Sequence, residues 1–332
     1  MEFTKSKLFG ISNKKYLSEL LNVELKTIKD VDSNYKVEPF FKEVNGKNRE
    51  LYNPSEVHKK VLKKIVKLLS CIEYPEYVYG GIPNVGYVDN ASRHLEKEYL
   101  LLLDITNFFP STKDSYVYNF FYNTMCQSSD IAKILTNLTT VKIENGDERF
   151  LPQGFSTSPI LSFLAYHEMY EKLEGFAKNN KFTFSAYYDD FTFSSNKFIH
   201  ANKRREAIAI IEKYGLQVNN KKTRLTICNY TRITGVIING NIKKAPKKLH
   251  KKMYDCYRLL LNMDKCPEKF TQNEFIDTCN RFQGCIAAIQ SIETERNLEH
   301  YKNTLRYIRT KFDVPIEKKK KHLYFNNILI AD

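Results

Sequence analysis

KFTFSAYYDDFTFSS, residues 181–195, is the stretch on which the fold class turns. Phe182, Phe184 and Ala186 alternate with other residues on the way into a polar tip, and Phe191 and Phe193 alternate on the way out. That period-2 pattern predicts a two-stranded hairpin with one apolar face. Asp189 and Asp190 fall at its turn. Aspartate favours turns because its carboxylate bonds to nearby backbone, and on that reading the pair only shapes the bend. Adjacent like charges repel, however, and raise each other's pKa, so a divalent cation between them is the second reading.

The neighbouring segments bear on both readings. Residues 98–109, EYLLLLDITNFF, hold an apolar run too short for a typical helix and predict a buried strand ending in Asp104. A third carboxylate there completes a set of hard oxygen donors suited to Mg2+. Two such ions, about 4 Å apart, clamp the attacking and leaving oxygens of an in-line phosphoryl transfer. Between the strands lies LPQGFSTSP (151–159), a Gly/Pro/Ser-rich loop, followed by a strongly apolar helical stretch over 160–178.

Farther out, 12–22 and 54–70 read as helices, with Ser12 as an N-cap of the first and Pro54 near the first turn of the second. The second carries Lys59, Lys60, Lys63, Lys64 and Lys67 on its polar side. VNGKNRELYNP (44–54) predicts a hairpin around Asn45-Gly46 that aims Lys47 and Arg49. Downstream come a helix near 203–214, the loop GLQVNNKKT (215–223), and a strand pair around ITGVIING (233–240) turning at Asn239-Gly240. From about 241 the chain reads as helical and Lys-rich, with the tracts KKAPKKLHKK (243–252) and KKKK (318–321). The whole is an α+β chain.

Its 332 residues, 42% apolar, suffice for a sizeable core of two or three subdomains. A formal charge of +14 biases it toward a polyanion, because each neutralised phosphate releases condensed counterions. The 22 Tyr and 22 Phe mostly serve packing, and rings set among Lys and Arg also suit stacking on unpaired bases. Seven cysteines without a C-x-x-C pair argue against a disulfide framework. The start MEFTKSKLFG lacks the apolar segment of a signal peptide, and no apolar run approaches the roughly 18 residues of a membrane span. A cytoplasmic protein with no membrane partner is the expectation.

Tyr187-Tyr188-Asp189-Asp190 resembles the Y-x-D-D motif of reverse transcriptases, and LLLLDITNFFPS (101–111, with its flanking Leu100) resembles the acidic strand motif that precedes it. LPQGFSTSP is similar to the family's P-Q-G-x-x-x-S-P motif and stands between them in the family's order, with NNKKT (219–223) following. The resemblance runs over roughly residues 45–240. Two further segments resemble the retron subgroup: Asn90-Ala91-Ser92-Arg93-His94 its N-A-x-x-H motif, and Ile233-Thr234-Gly235 its V-T-G motif, with Ile for Val. Taken alone, His94 reads as a hydrogen-bonded structural histidine.

The resemblance implies a right-hand polymerase fold: an N-terminal and fingers region over 1–97, a palm over 98–240 and a helical, RNA-binding thumb over 241–332. It implies Asp104, Asp189 and Asp190 as catalytic metal ligands for two Mg2+ ions. Phe109 would stand beneath the incoming sugar and clash with a ribose 2′-hydroxyl, although one of Phe108 and Phe109 must face the core. Gln153 and Gly154 fit a loop against the nascent base pair, where Gly permits close approach. Lys222 would lie near the triphosphate as a cation or proton donor to pyrophosphate, with Lys221 as its competitor. Lys47 and Arg49 match the segment that grips the triphosphate. Lys243, Lys244, Lys247, Lys248, Lys251 and Lys252 would recognise an RNA stem by shape and phosphate.

Two positions depart from the pattern. Tyr188 stands where retron enzymes more often carry Ala, and Phe155 replaces a small residue, so nucleotide selection is expected to differ. The implied activity is copying a structured noncoding RNA, with deoxynucleoside triphosphates as substrates, into a branched single-stranded DNA, in anti-phage defence beside an effector protein. Competing readings are an intron-like or abortive-infection reverse transcriptase that primes differently or adds nucleotides without a template, and a non-catalytic RNA-binding scaffold.

Overall fold

The computed structural model describes residues 1–316 except 45, 144 and 145; for Val44 and Lys47 it describes only the backbone. The KKKK tract at 318–321 and Asn45 of the expected turn therefore lie outside the described residues. The strands are β1 (Pro39–Val44), β2 (Lys47–Tyr52), β3 (Tyr99–Asp104), β4 (Val141–Lys142), β5 (Arg149–Phe150), β6 (Thr183–Tyr187), β7 (Asp190–Ser195), β8 (Arg224–Ile227), β9 (Thr231–Ile233), β10 (Val236–Asn239) and β11 (Ile242–Lys244). The central sheet is antiparallel in the order β6-β7-β3-β8.

Its two faces follow from the alternation that the sequence displays. Cross-strand register pairs Phe184 with Phe193, Ala186 with Phe191, Leu101 with Phe193 and Leu103 with Phe191. These side chains share one face and join the larger hydrophobic cluster, into which the helix His167–Asn179 contributes Met169, Tyr170, Leu173 and Phe176. The opposite face carries Asp104, Leu102 and Leu100 against Asp190, Thr192 and Ser194. At its far end Leu100 and Ala91 belong to a second cluster, with Ile233, Val236, Ile238 and the C-terminal helices.

Three local expectations are revised. The apolar stretch 160–178 is two helices, Ser158–Ala165 and His167–Asn179, broken at Tyr166, whose ring is buried beside Tyr116 at a 4.6 Å centroid distance. ITGVIING forms a three-stranded meander, because Thr234 (φ 44°) and Gly235 (φ 89°) are themselves a left-handed two-residue turn ahead of the one at Gly240. Asn13, one residue past Ser12, caps the first helix by accepting from the Lys15 and Tyr16 amides. The helix expected over 54–70 forms at Glu56–Leu69 under Ser55, and the chain ends in long helices Lys247–Lys265, Gln272–Ile292 and Glu299–Lys311. No helix among the described residues is long and apolar enough to cross a membrane.

His94 sits inside this frame with no solvent exposure. Its Nδ1 and Nε2 each lie 2.7 Å from a serine hydroxyl, Ser194 on β7 and Ser185 on β6. Burial above all, with the Arg93 and Lys97 charges, pushes its pKa down to about 3. An unfolded imidazole takes its proton near pH 6.5, so between about 6.5 and 3 the unfolded chain binds the extra proton and folding weakens as pH falls. Above about pH 6.5 the contribution is complete. Buried His58, whose pKa is also lowered mainly by burial, acts in the same direction. Denaturant titrations from pH 7 to 4 are expected to show stability declining with acid, and His94→Gln to flatten that slope by about 1.4 kcal/mol per pH unit. An unchanged slope would mean that His94 is not the proton-linked group.

Candidate active site

The β3–β7 register sets Asp104 directly opposite Asp190, and Asp189 occupies the turn one residue before β7. Tyr188, at φ 54°, is the left-handed residue of that turn. The tip is held from both sides: the Ile105 amide donates to the Asp189 carbonyl at 3.1 Å, and the Tyr170 hydroxyl donates to the Tyr188 carbonyl at 2.9 Å. Three carboxylates thus come from adjoining backbone at one end of the central sheet.

NNKKT hooks onto the same end. The Asn219 amide donates to the Asp104 carbonyl at 2.7 Å, and the Lys222 Nζ lies 2.8 Å from Asp104 Oδ1. The two candidate lysines, both exposed, are thereby distinguished: it is Lys222 whose ammonium reaches the carboxylate. Asp104 is buried, and an ammonium at this distance offsets the cost of holding its charge away from water.

Phe108 is buried in the core, and Phe109 is half-buried with its ring 6.5 Å from that of Tyr188. Tyr188 in turn rests on a glycine pair. A Cβ on Gly80 would fall 2.4 Å from the Tyr188 amide nitrogen, and one on Gly81 (φ 74°) 3.2 Å from its ring. The bulky residue at this position is therefore accommodated by the segment that runs beside β6, where Tyr79 donates to the Ala186 carbonyl and Ala186 to that of Tyr77. Burial pushes the Tyr188 hydroxyl pKa up.

Gly154 and Phe155 make contacts that the sequence does not display. The close approach that Gly154 (φ 116°) permits is to the chain itself: a Cβ there would stand 2.3 Å from the Tyr52 carbonyl oxygen. The Tyr52 amide donates to the Gln153 carbonyl at 2.8 Å, so the loop 151–159 is fastened to the end of β2. Phe155 is buried with Tyr52, Leu62 and Val141, its ring 5.1 Å from that of His58. It is part of that core.

Of the remaining candidates, Arg49 is half-buried on β2 across from Lys42, and Lys47 lies at the start of β2, with its side chain outside the description. Lys243 turns inward to the Ser92 hydroxyl at 3.1 Å, and Lys244 lies over the exposed Tyr230 ring. Lys247, Lys248, Lys251 and Lys252 are exposed on one long helix. Sequence reading passed over Arg224, which is exposed on the carboxylate face opposite Leu102. Its only sequence signal was its place directly after NNKKT. Of Asn90, Ala91, His94, Thr234 and Gly235, Asn90 and Thr234 meet directly, Asn90 Nδ2 donating to Thr234 Oγ1 at 3.1 Å, whereas His94 bonds to Ser194 and Ser185 on the central sheet.

As the side chains stand, no group of three or more His, Cys, Asp or Glu among the described residues is disposed to hold a metal ion. The donor chemistry nonetheless suits a hard divalent cation, and the Lys222 ammonium on Asp104 marks a place where this sheet end already holds positive charge. The model of the reverse transcriptase (RNA-dependent DNA polymerase) family matches residues 41–276, a span that contains all three carboxylates, the loop 151–159 and Lys222. The chain belongs to the reverse transcriptase family. This reverse transcriptase is 28% identical over 292 residues to the retron Se72 reverse transcriptase of Salmonella heidelberg, covering 83% of this chain and 74% of that one. It is 26% identical over 194 residues to the retron Ec86 reverse transcriptase of Escherichia coli, covering 58% of each. It is thus a retron-type reverse transcriptase, an RNA-directed DNA polymerase with the right-hand polymerase fold. Telomerase from Candida albicans is a more distant likeness, at 14% identity and a TM-score of 0.44 over 85% of this chain and 64% of that one.

The Gly154 contact generates a test of the loop's role in this reverse transcriptase. Gly154→Ala combines overpacking against rigid backbone with a backbone angle foreign to alanine, and is expected to destabilise the fold by roughly 2–4 kcal/mol. The denaturant midpoint measures it; an unshifted midpoint would show that the loop 151–159 is not pinned to β2.

Proposed function

We propose that this reverse transcriptase copies a structured noncoding RNA into a branched single-stranded DNA, with Asp104, Asp189 and Asp190 as the catalytic carboxylates. The observation that carries the reading is the pairing of Asp104 with Asp190 across two adjacent strands, with Asp189 at the tip and Lys222 on Asp104. The retron relatives support the nature of the template and product.

In this reading Asp104, Asp189 and Asp190 hold two Mg2+ ions, which when bound supply charge neutralisation at the attacking and leaving oxygens. Lys222 leaves Asp104 to meet the triphosphate and gives a proton to the departing pyrophosphate, a role for a mobile point charge on a flexible stem. Lys47 and Arg49 grip the triphosphate, Gln153 lines the nascent base pair, and Gly154 sets that loop against Tyr52. Phe109, backed by Tyr188, walls off the sugar. The regions follow as fingers over 1–97, palm over 98–240 and thumb over 241–332, with Lys244, Lys247, Lys248, Lys251 and Lys252 on the RNA. Anti-phage defence beside an effector protein, in the cytoplasm, completes the proposal.

The decisive experiment is to express the chain with its native flanking DNA and sequence any short DNA that survives RNase treatment, beside an Asp189→Ala/Asp190→Ala control. A discrete single-stranded DNA bearing a residual ribonucleotide branch is expected, with at least about a thousandfold less in the control. DNA of random sequence, or equal DNA from both proteins, would overturn the reading. For sugar selection, Phe109→Ala is expected to narrow the preference for deoxynucleotides over ribonucleotides by roughly 10- to 200-fold in kcat/KM. An unaltered ratio would remove Phe109 from that role.

A further inference from the structure

The two retron-like motifs lie far apart in sequence and meet in space. Asn90, fully buried in the helix Tyr87–Ser92, donates through Nδ2 to the Thr234 hydroxyl at 3.1 Å, and that hydroxyl donates to the Tyr87 carbonyl, also at 3.1 Å. Thr234 can meet both groups because it sits at the left-handed tip of the β9–β10 turn. Four residues after Asn90, the His94 imidazole spans Ser194 and Ser185, one on each strand of the hairpin that carries Asp189 and Asp190. Two more bonds run to the small sheet: Lys243 to the Ser92 hydroxyl at 3.1 Å, and the Glu96 amide to the Gly240 carbonyl at 2.9 Å.

Segment 87–96 is therefore tied on one side to the catalytic hairpin and on the other to the sheet β9–β11. That sheet runs through Ala245 and Pro246 directly into the helix Lys247–Lys265. The second hydrophobic cluster bridges the same parts, joining Ala91 and Leu100 to Ile233, Val236, Met253 and Cys256. Both imidazole nitrogens of His94 and the Thr234 hydroxyl are occupied, and Asn90 Oδ1, which has no partner among the described residues, is closed off from solvent, so these groups are not offered to an RNA.

We infer that Asn90, His94 and Thr234 form a positioning joint that fixes the distance and angle between the carboxylates and the nucleic acid gripped by the C-terminal helices. This rests on the polymerase reading above and adds to it the division of labour between the site and its grip. The sheet end that holds Asp104 and Asp190 is anchored independently, by β3–β7 pairing and by Tyr170 and Asn219. Loss of the Asn90–Thr234 bond therefore leaves the chemistry intact and loosens the register of the helices against it.

The test is primer extension on an annealed RNA template with a DNA primer, measured for wild type, Thr234→Ser, Thr234→Val, Asn90→Ala and the Asn90→Ala/Thr234→Val pair, with thermal midpoints recorded for each. Thr234→Ser keeps the hydroxyl and is expected to match wild type. Thr234→Val and Asn90→Ala should each raise KM for primer–template at least about fivefold and shorten the product made per binding event, with kcat for single-nucleotide addition held within about twofold. The double variant should be no worse than Thr234→Val alone, because the Asn90–Thr234 bond is already lost in that single variant. Additive losses in the pair, unchanged KM in both single variants, or a fall in kcat that tracks the thermal midpoint would each overturn the joint. A wild-type protein that extends no primer would instead overturn the polymerase reading on which it stands.

Discussion

Everything at the proposed active site depends on the register between β3 and β7. Side chains alternate faces along a strand, so a slip of one residue would turn Asp104 into the hydrophobic core and bring Leu103 or Ile105 to the carboxylate face. The register is specified by the other face. Leu101 and Leu103 must meet Phe193 and Phe191, and those rings must meet the buried side of the helix His167–Asn179. Each aromatic removed from water contributes on the order of 1.5–3 kcal/mol, so a slipped sheet would forfeit several such contributions at once. Packing on one side of the sheet thus determines which carboxylates face each other on the other side.

Concentrating three carboxylates at one sheet end creates an electrostatic cost, and the fold answers it with groups brought from elsewhere. The Lys222 ammonium meets Asp104, and backbone donors from Ile105 and Asn219 secure the strand ends without consuming carboxylate oxygens. A flexible lysine is apt here because it can yield its place, where a bidentate arginine would hold the carboxylate more rigidly. Around this centre the tight positions are filled by backbone contact: Gly154 against Tyr52, and Gly80 and Gly81 beneath Tyr188. The second of these explains how a tyrosine fits the tip of the hairpin, since the glycines leave room for a ring that would otherwise collide with the neighbouring segment.

Much was legible along the chain because its signals are local. Alternation in KFTFSAYYDDFTFSS predicts a hairpin with aspartates at its tip; a short apolar run ending in Asp104 predicts a buried strand; the pattern over 54–70 predicts an amphipathic helix, found at Glu56–Leu69. Where local signals compete, the reading slipped. The stretch 160–178 is apolar enough for one helix, yet the demand to bury the Tyr166 ring beside Tyr116 breaks it in two. Thr234-Gly235 reads as part of a strand until the positive φ of both residues makes it a turn.

By itself, then, the sequence determined the elements that alternation and motif order express: the α+β class, the hairpin with two aspartates at its tip, the third carboxylate at a strand end and the polymerase family. Tertiary structure alone decided which of two adjacent lysines reaches Asp104, that Phe155 packs on His58, that Gly154 yields to Tyr52, and that Asn90 and Thr234, 144 positions apart, share one hydrogen bond. The reason is physical. Strand and helix periods are set by bonds between near neighbours and leave a repeating trace in the residues, whereas a contact between distant segments depends on how whole elements pack and leaves no period to read.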